Sequence, residues 1–245
     1  MVSHVKGRSY VSPRRRAQAA ETRRAILDAA RRRFEEGGYA STPVPSIAVE
    51  ANVALKTVYL AFETKAGLLR AVWEARLGGE EEAIPVLERS WFREVTAEPD
   101  PVQKLRRVAA RSRRVKTSSG ALLEVIRTAA VTDPEIATLW SDIEAKLLSV
   151  QRAIVEQLDE TDSLAAGLTT RHATDVLWTL NHPDVWHLLV RGRRWSPTRY
   201  ETWLHDAFCL HLLGRRSRHP TTPLDAPAPH KPEGTVAVPP RDASA

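Results

Sequence analysis

Residues 42–65, TPVPSIAVEANVALKTVYLAFETK, decide the fold of this chain. Ile47, Ala48, Ala51, Val53, Val58 and Phe62 recur in them at helical spacing and divide into two short apolar faces. Asn52 lies between the faces, where a helix must stop and the chain must turn, and Asn accepts the left-handed conformation such turns demand. Pro43 and Pro45 fall in the first turn of the first helix, where their missing N–H groups cost nothing, and Thr42 is placed to cap it. A second short helix follows over about residues 55–61, and a longer one begins near Thr64 or Lys65. Two short helices joined by a tight turn form a helix-turn-helix, whose second helix can enter a DNA major groove.

The charge distribution agrees with a nucleic-acid partner. The chain has 245 residues, 42% of them hydrophobic, enough for one large or two modest domains with a real core. Its formal net charge is +6. Residues 1–75 hold thirteen Lys or Arg against seven Asp or Glu, whereas residues 76–245 hold twenty-three of each. All of the excess therefore sits on the segment with the helix-turn-helix, as phosphate neutralisation requires. No apolar run reaches the ~18 residues of a membrane span. The basic N-terminus lacks the apolar core of a secretory signal. Cys209, the single cysteine, has no intrachain partner, and these features together predict a cytoplasmic protein without a membrane partner.

Outward from the central run, residues 1–17 are polar and basic and read as a disordered arm. A first helix is expected over residues 19–36, with Ile26, Leu27, Ala30 and Phe34 as its apolar stripe and Gly37-Gly38 as its stop. Gly78-Gly79 is placed to end or bend the fourth helix. Beyond it the pattern predicts helices over 80–95, 101–117, 119–130, 134–160, 169–190 and 197–213. Asp133-Pro134 and Ser196-Pro197 serve as helix starts, and Pro183 kinks or splits the penultimate segment. From Ser217 the chain is Pro-rich and reads as disordered. The expected organisation is an all-α chain. It has a basic arm (1–17), a three-helix DNA-binding domain (18–64), a helical bundle for regulation and dimerisation (65–215) and a disordered tail (216–245).

These residues resemble the TetR family of bacterial transcription regulators. The likeness covers about residues 22–72. It rests on the Ile26-Leu27-x-Ala29-Ala30 helix, Phe34, Gly38-Tyr39, Thr42, Ile47-Ala48, Ala51, Val53, Thr57, Tyr59, Phe62, Lys65 and Leu68-Leu69. Two positions depart from the family pattern: Asn52 replaces the usual turn Gly, and Ala54 replaces the usual Ser cap of the reading helix, a cap worth about 1 kcal/mol.

The resemblance implies that the second helix of the motif reads DNA. Leu55, Lys56 and Thr57 would face the major groove, Lys56 donating to guanine and the apolar groups meeting thymine methyls. In the family, positions matching Thr42, Tyr59 and Lys65 contact phosphate, although an aromatic at helical spacing is as readily core as contact. One such motif reads only a few base pairs, so a homodimer on double-stranded DNA is expected. In the family the last two helices form a four-helix bundle with the partner, which points to Val176, Leu180, Trp203, Leu204 and Phe208 as interface. A purely intramolecular core explains the same stripes.

The C-terminal half is rich in tryptophan, and an aromatic pocket with few polar groups suits a flat apolar effector. Trp91, Trp140, Trp178 and His182 are the expected lining, with ordinary core packing as the competing reading. No HExxH, CxxC or GxSxG motif occurs, so neither enzymatic activity nor a metal or cofactor is expected. The reading is therefore a homodimeric repressor released from a palindromic site by a small hydrophobic ligand. A regulator answering to a protein partner or to no ligand, and a helical enzyme or carrier, stay open as alternatives.

Overall fold

A computed structural model describes residues 13–78 and 84–214. Among these the chain is helical, with no strand. The first helix, α1, spans Pro13–Gly37. It starts earlier than the sequence pattern predicts because Pro13 is tolerated in a first turn and nothing after it breaks the helix. The outermost residues of the expected arm, 1–12, lie outside the described residues, as do 79–83 and the Pro-rich tail. Ile26, Ala29, Ala30 and Phe34 form the fully buried stripe of α1, and Gly38 closes the helix at φ 75°.

The motif follows as α2, Val44–Glu50, and α3, Leu55–Phe62. Asn52 adopts φ 54° between them, the left-handed turn read from the sequence. Thr42 departs from its expected capping role. The N-cap of α2 is Pro43, while the Thr42 hydroxyl turns back to the carbonyls of Gly38 (2.8 Å) and Arg33 (3.0 Å) at the end of α1. The Gly38 carbonyl lies past the last residue of α1 and accepts no other backbone hydrogen bond among the described residues, so the hydroxyl satisfies it while also touching the last turn at Arg33.

Helix α4, Lys65–Gly78, is entered through Thr64, whose Oγ1 accepts from the Gly67 amide at 2.8 Å. A 3-10 turn at Val86–Glu88 leads into α5, Ser90–Thr96. The two helices expected over 101–117 and 119–130 are one, α6, Pro101–Ala129. Ser118, Ser119 and Gly120 lack a helix-breaking role here because α6 is packed along its whole length, which outweighs their weak propensity. Helix α7, Pro134–Glu160, matches its expected span, with the Asp133 carboxylate accepting from the Glu135 and Ile136 amides. Pro183 splits the penultimate segment as expected into α8, Thr170–Leu180, and α9, Pro183–Trp186. A π-helical turn, His187–Gly192, then precedes α10, Pro197–Leu213.

Two apolar clusters organise these helices. The first joins α1 to α4 with the C-terminal half of α6 and the N-terminal half of α7, through Leu122, Leu123, Val125, Ile126, Ile136 and Leu139. The second joins α5, the other halves of α6 and α7, and α8 to α10. Packing therefore does not part at the expected boundary of 64/65. Ala66, Leu68, Leu69, Val72 and Trp73 of α4 belong to the same core as the helix-turn-helix.

The α3–α4 junction is tight. A Cβ on Gly67 would fall far inside contact distance of the Phe62 carbonyl oxygen. Gly67→Ala should therefore lower stability by about 1–3 kcal/mol, read from the urea unfolding midpoint. At the motif turn Asn52→Gly should be tolerated, whereas Asn52→Val should cost about 1–2 kcal/mol.

Candidate nucleic-acid interface

Helix α3 offers one buried and one open face. Val58 and Phe62 are in the core, which fixes the helix against α1 and α4 and turns the remaining positions outward. Lys56 is exposed, and Leu55, Tyr59 and Leu60 are open to solvent at 39%, 45% and 76% of their surface. Thr57 is half-buried. Tyr59 is thus a surface side chain and not part of the core. No side chain caps α3, as Ala54 implies; the Thr57 amide instead reaches the Ala54 carbonyl at 2.8 Å.

Around this face the cations differ in availability. Arg32 and Arg33 on α1 both pair with Glu50 at the end of α2, and these hydrogen bonds, Arg32 first, hold the Glu50 carboxyl below its usual range. They clamp α2 to α1. Arg23 lies over the Phe62 ring, 4.6 Å from its centre, and so flanks the C-terminal end of α3. Arg14, Arg15, Arg16 and Arg24 are exposed along α1. The sequence expectation did not single out Arg23 for this place; its position on the outer face of α1 is visible, but its partner in α3, distant in the chain, is a tertiary fact.

Two expected phosphate contacts point inward in this conformation. Thr42 is buried and its hydroxyl is committed to α1. Lys65 sits over the Tyr39 ring at 4.4 Å with its Nζ 3.4 Å from the Ala40 carbonyl, and burial lowers its pKa from the ordinary lysine value.

The helix-turn-helix domain is joined to α7 by polar contacts at its base. The Tyr39 hydroxyl donates to Asp133 Oδ2 at 2.7 Å, and Thr64 Oγ1 donates to Glu135 at 2.9 Å. Arg70 pairs with Asp142 at 3.1 Å. Burial first, and then the Asp133 carboxylate, raise the Tyr39 phenol above its usual pKa, so it stays a donor. Asp133 meanwhile caps α7 with its other oxygen. One carboxylate thus serves both the start of α7 and the hold on α1. Tyr39 was legible as a motif residue, but nothing local marked Asp133 as its partner.

In the C-terminal half the expected aromatic residues separate. His182 lies between Trp140 and Trp178, with ring centres 6.2 and 4.8 Å away. Trp91 is elsewhere, edge-on to Phe92 and beneath Arg111. Of the four, Trp140 alone lines a cavity of about 380 Å³ between α1, α6, α7, α9 and the π-turn. His182 Nδ1 accepts from the Asp184 amide at 3.2 Å and caps α9, while its buried Nε2 stands 3.5 Å from Glu144 Oε1 with no hydrogen bond among the described residues.

The expected interface residues also divide. Leu204 and Phe208 are fully buried within one chain, so their stripe is the intramolecular core and a partner cannot reach it. Val176, Leu180 and Trp203 are half-buried. Val176 and Leu180 border a shallow groove of about 660 Å³ with Arg171, His172, Asp175 and His211.

Among the described residues no group of three His, Cys, Asp or Glu is placed to hold a metal ion, and no helix is long and apolar enough to cross a membrane. The sequence model of the bacterial regulatory proteins of the tetR family matches residues 26–72. No curated protein matches the chain in sequence. Among solved structures, the transcriptional regulator FadR from Bacillus subtilis in complex with stearoyl-CoA is 19% identical, with a TM-score of 0.61, over 76% of this chain and 96% of that one. NalD, the secondary repressor of the MexAB-OprM multidrug efflux pump in Pseudomonas aeruginosa, is 24% identical, with a TM-score of 0.60, over 80% and 98%. A TetR-family regulator from Mesorhizobium loti is 20% identical, with a TM-score of 0.59, over 78% and 95%. At these identities the structural likeness shows a shared fold. The match to the tetR-family model is thus confined to the helix-turn-helix domain, within α1 to α4, and the fold around it is shared with solved regulators of that type.

Proposed function

We propose that the chain is a homodimeric, sequence-specific repressor that binds a palindromic operator and is released by a small-molecule effector. The observation that carries the reading is the open face of α3. Lys56, Tyr59, Leu55 and Leu60 project together from a helix whose other side is locked in the core. An ammonium group can donate to guanine O6 and N7, an exposed leucine suits a thymine methyl, and a phenol tip can reach phosphate. The unpaired arginines along α1 supply sequence-independent attraction.

A dimer places two such faces about one helical turn apart. The outer faces of α8 and α10 support it, since Val176, Leu180 and Trp203 are only half-covered and Leu210 is 47% exposed. Control by an effector is supported by the cavity between α6 and α7, because Phe34, Glu35 and Gly38 of α1 form part of its wall. A ligand there touches the reading head directly. It shifts DNA affinity by the difference in its affinity for the two orientations of that head. FadR and NalD, with the same fold, are respectively held with stearoyl-CoA and described as a repressor.

Lys56→Ala should lower operator affinity by about 1–3 kcal/mol, relax base preference at one position and reduce the slope of log affinity against log salt by about 1. Unchanged binding and slope in a Lys56→Ala, Tyr59→Ala double variant would remove α3 as the reader. Leu180→Glu should give monomers in sedimentation and lose operator binding with helicity intact. Tyr39→Phe deletes one hydroxyl at the base of the head. It should cost about 1 kcal/mol in unfolding and alter operator affinity while leaving the selected DNA sequence the same.

A further inference from the structure

The buried face of α6 carries a cation that the proposed function does not use. Lys116 is 6% exposed in the stripe that also holds Leu105, Val108, Ala109, Leu122 and Leu123. Its Nζ donates to the Asn181 carbonyl (2.7 Å), to Asn181 Oδ1 (2.9 Å) and to the Tyr200 hydroxyl (2.8 Å). All three acceptors are neutral, and among the described residues no carboxylate pairs with it. Asn181 ends α8, so the negative end of that helix gives partial compensation. Burial nevertheless drives the Lys116 pKa well below the ordinary lysine value.

Lys116 also forms part of the wall of the 380 Å³ cavity. One turn further along α6 is Gly120, where a Cβ would stand 3.1 Å from Trp186 Nε1. A mid-helix glycine costs about 1 kcal/mol relative to alanine, and here it leaves the indole N–H uncrowded beside the cavity. Trp140, Trp186 and Pro183 give flat apolar walls. Of the three carboxylates of the lining, Glu35 pairs with Arg31 at 3.0 Å, while Glu124 and Asp184 share Arg127 at 2.6 and 3.4 Å. Arg191 stands exposed at the rim. Among the described residues Lys116 is the buried cation of this lining that no carboxylate faces.

We infer that the effector is a small, flat, apolar carboxylic acid whose carboxylate lies beside Gly120, between Lys116 Nζ and Trp186 Nε1. The inference rests on the cavity being the effector site. The acid supplies the counter-charge that the fold omits, and the Trp186 N–H adds a second donor. All three N–H groups of Lys116 are committed to Asn181 and Tyr200, so the carboxylate takes one of them over, and its binding bears on the contacts of α6 with α8 and α10.

Calorimetric titration of the full-length dimer with 2-naphthoate, the isosteric neutral 2-naphthamide and 2-naphthylmethylamine tests this chemistry. The acid should bind at least tenfold tighter than the amide, and the amine weakest. Trp186→Phe keeps an aromatic ring and removes the N–H donor; it should weaken the acid severalfold and the amide, a neutral acceptor, less. Lys116→Met should abolish the acid's advantage, with circular dichroism reporting whether it folds. Equal binding of acid and amide, no binding of either, or an advantage unchanged in both variants would overturn the inference. Operator release measured in parallel separates the two readings. If the amide binds and releases DNA as well as the acid, the cavity is the effector site and only the acid preference is wrong. If the acid binds but the operator is retained, the site is an acid site without regulatory effect.

Discussion

The first apolar cluster is the constraint on which the rest of the structure depends. Ile47 and Val58 of the reading pair share it with Phe34 of α1, Leu68 and Leu69 of α4, Ile126 of α6 and Ile136 of α7. Close-packed interiors do not deform continuously. A head whose core extends into α6 and α7 therefore moves with the near ends of those helices and not as a bead on a linker. The polar contacts at the base, Tyr39 to Asp133, Thr64 to Glu135 and Arg70 to Asp142, fix its orientation around that shared core.

Helices α6 and α7 run through both clusters and so join the two ends of the packed core. Helix α6 has 29 residues and spans roughly 40 Å at 1.5 Å per residue. Its polar core positions, Ser112, Lys116 and Ser119, lie where the two clusters meet. Ser112 donates to Asn181 at 2.6 Å and Lys116 to both Asn181 and Tyr200. Hydrogen bonds of this kind are directional, so they set one registry of α6 against α8 and α10 where an apolar core would accept several. The cavity sits beside this seam and against α1, which places any occupant at the point where head and bundle are coupled.

The proposed reading surface has a simple origin. Lys56, Tyr59 and Leu60 are open because Val58 and Phe62 take the buried side, and the turn at Asn52 sets the angle between α2 and α3. Ala54 leaves α3 without a side-chain cap. The helix start is held by a backbone hydrogen bond alone, so its amides remain available to a phosphate.

The sequence by itself determined the helix-turn-helix, the left-handed turn at Asn52, the split at Pro183 and the starts at Asp133 and Ser196. These depend on φ preferences and on capping within a few residues, which are local. It also determined which residues of α3 are polar and where the net charge lies. Tertiary structure alone decided the rest. Thr42 turned from capping α2 to closing α1 because the Gly38 carbonyl lay within reach. Residues 117–119 stayed helical because α6 is packed on both sides. Leu204 and Phe208 went to the core of one chain, since a periodic stripe states that a face is buried but not against what. Trp140, Trp178 and His182 met while Trp91 did not, and Lys116 lost its solvent without gaining a carboxylate. Each is a contact between positions distant in the chain, and local preference holds no information about such partners.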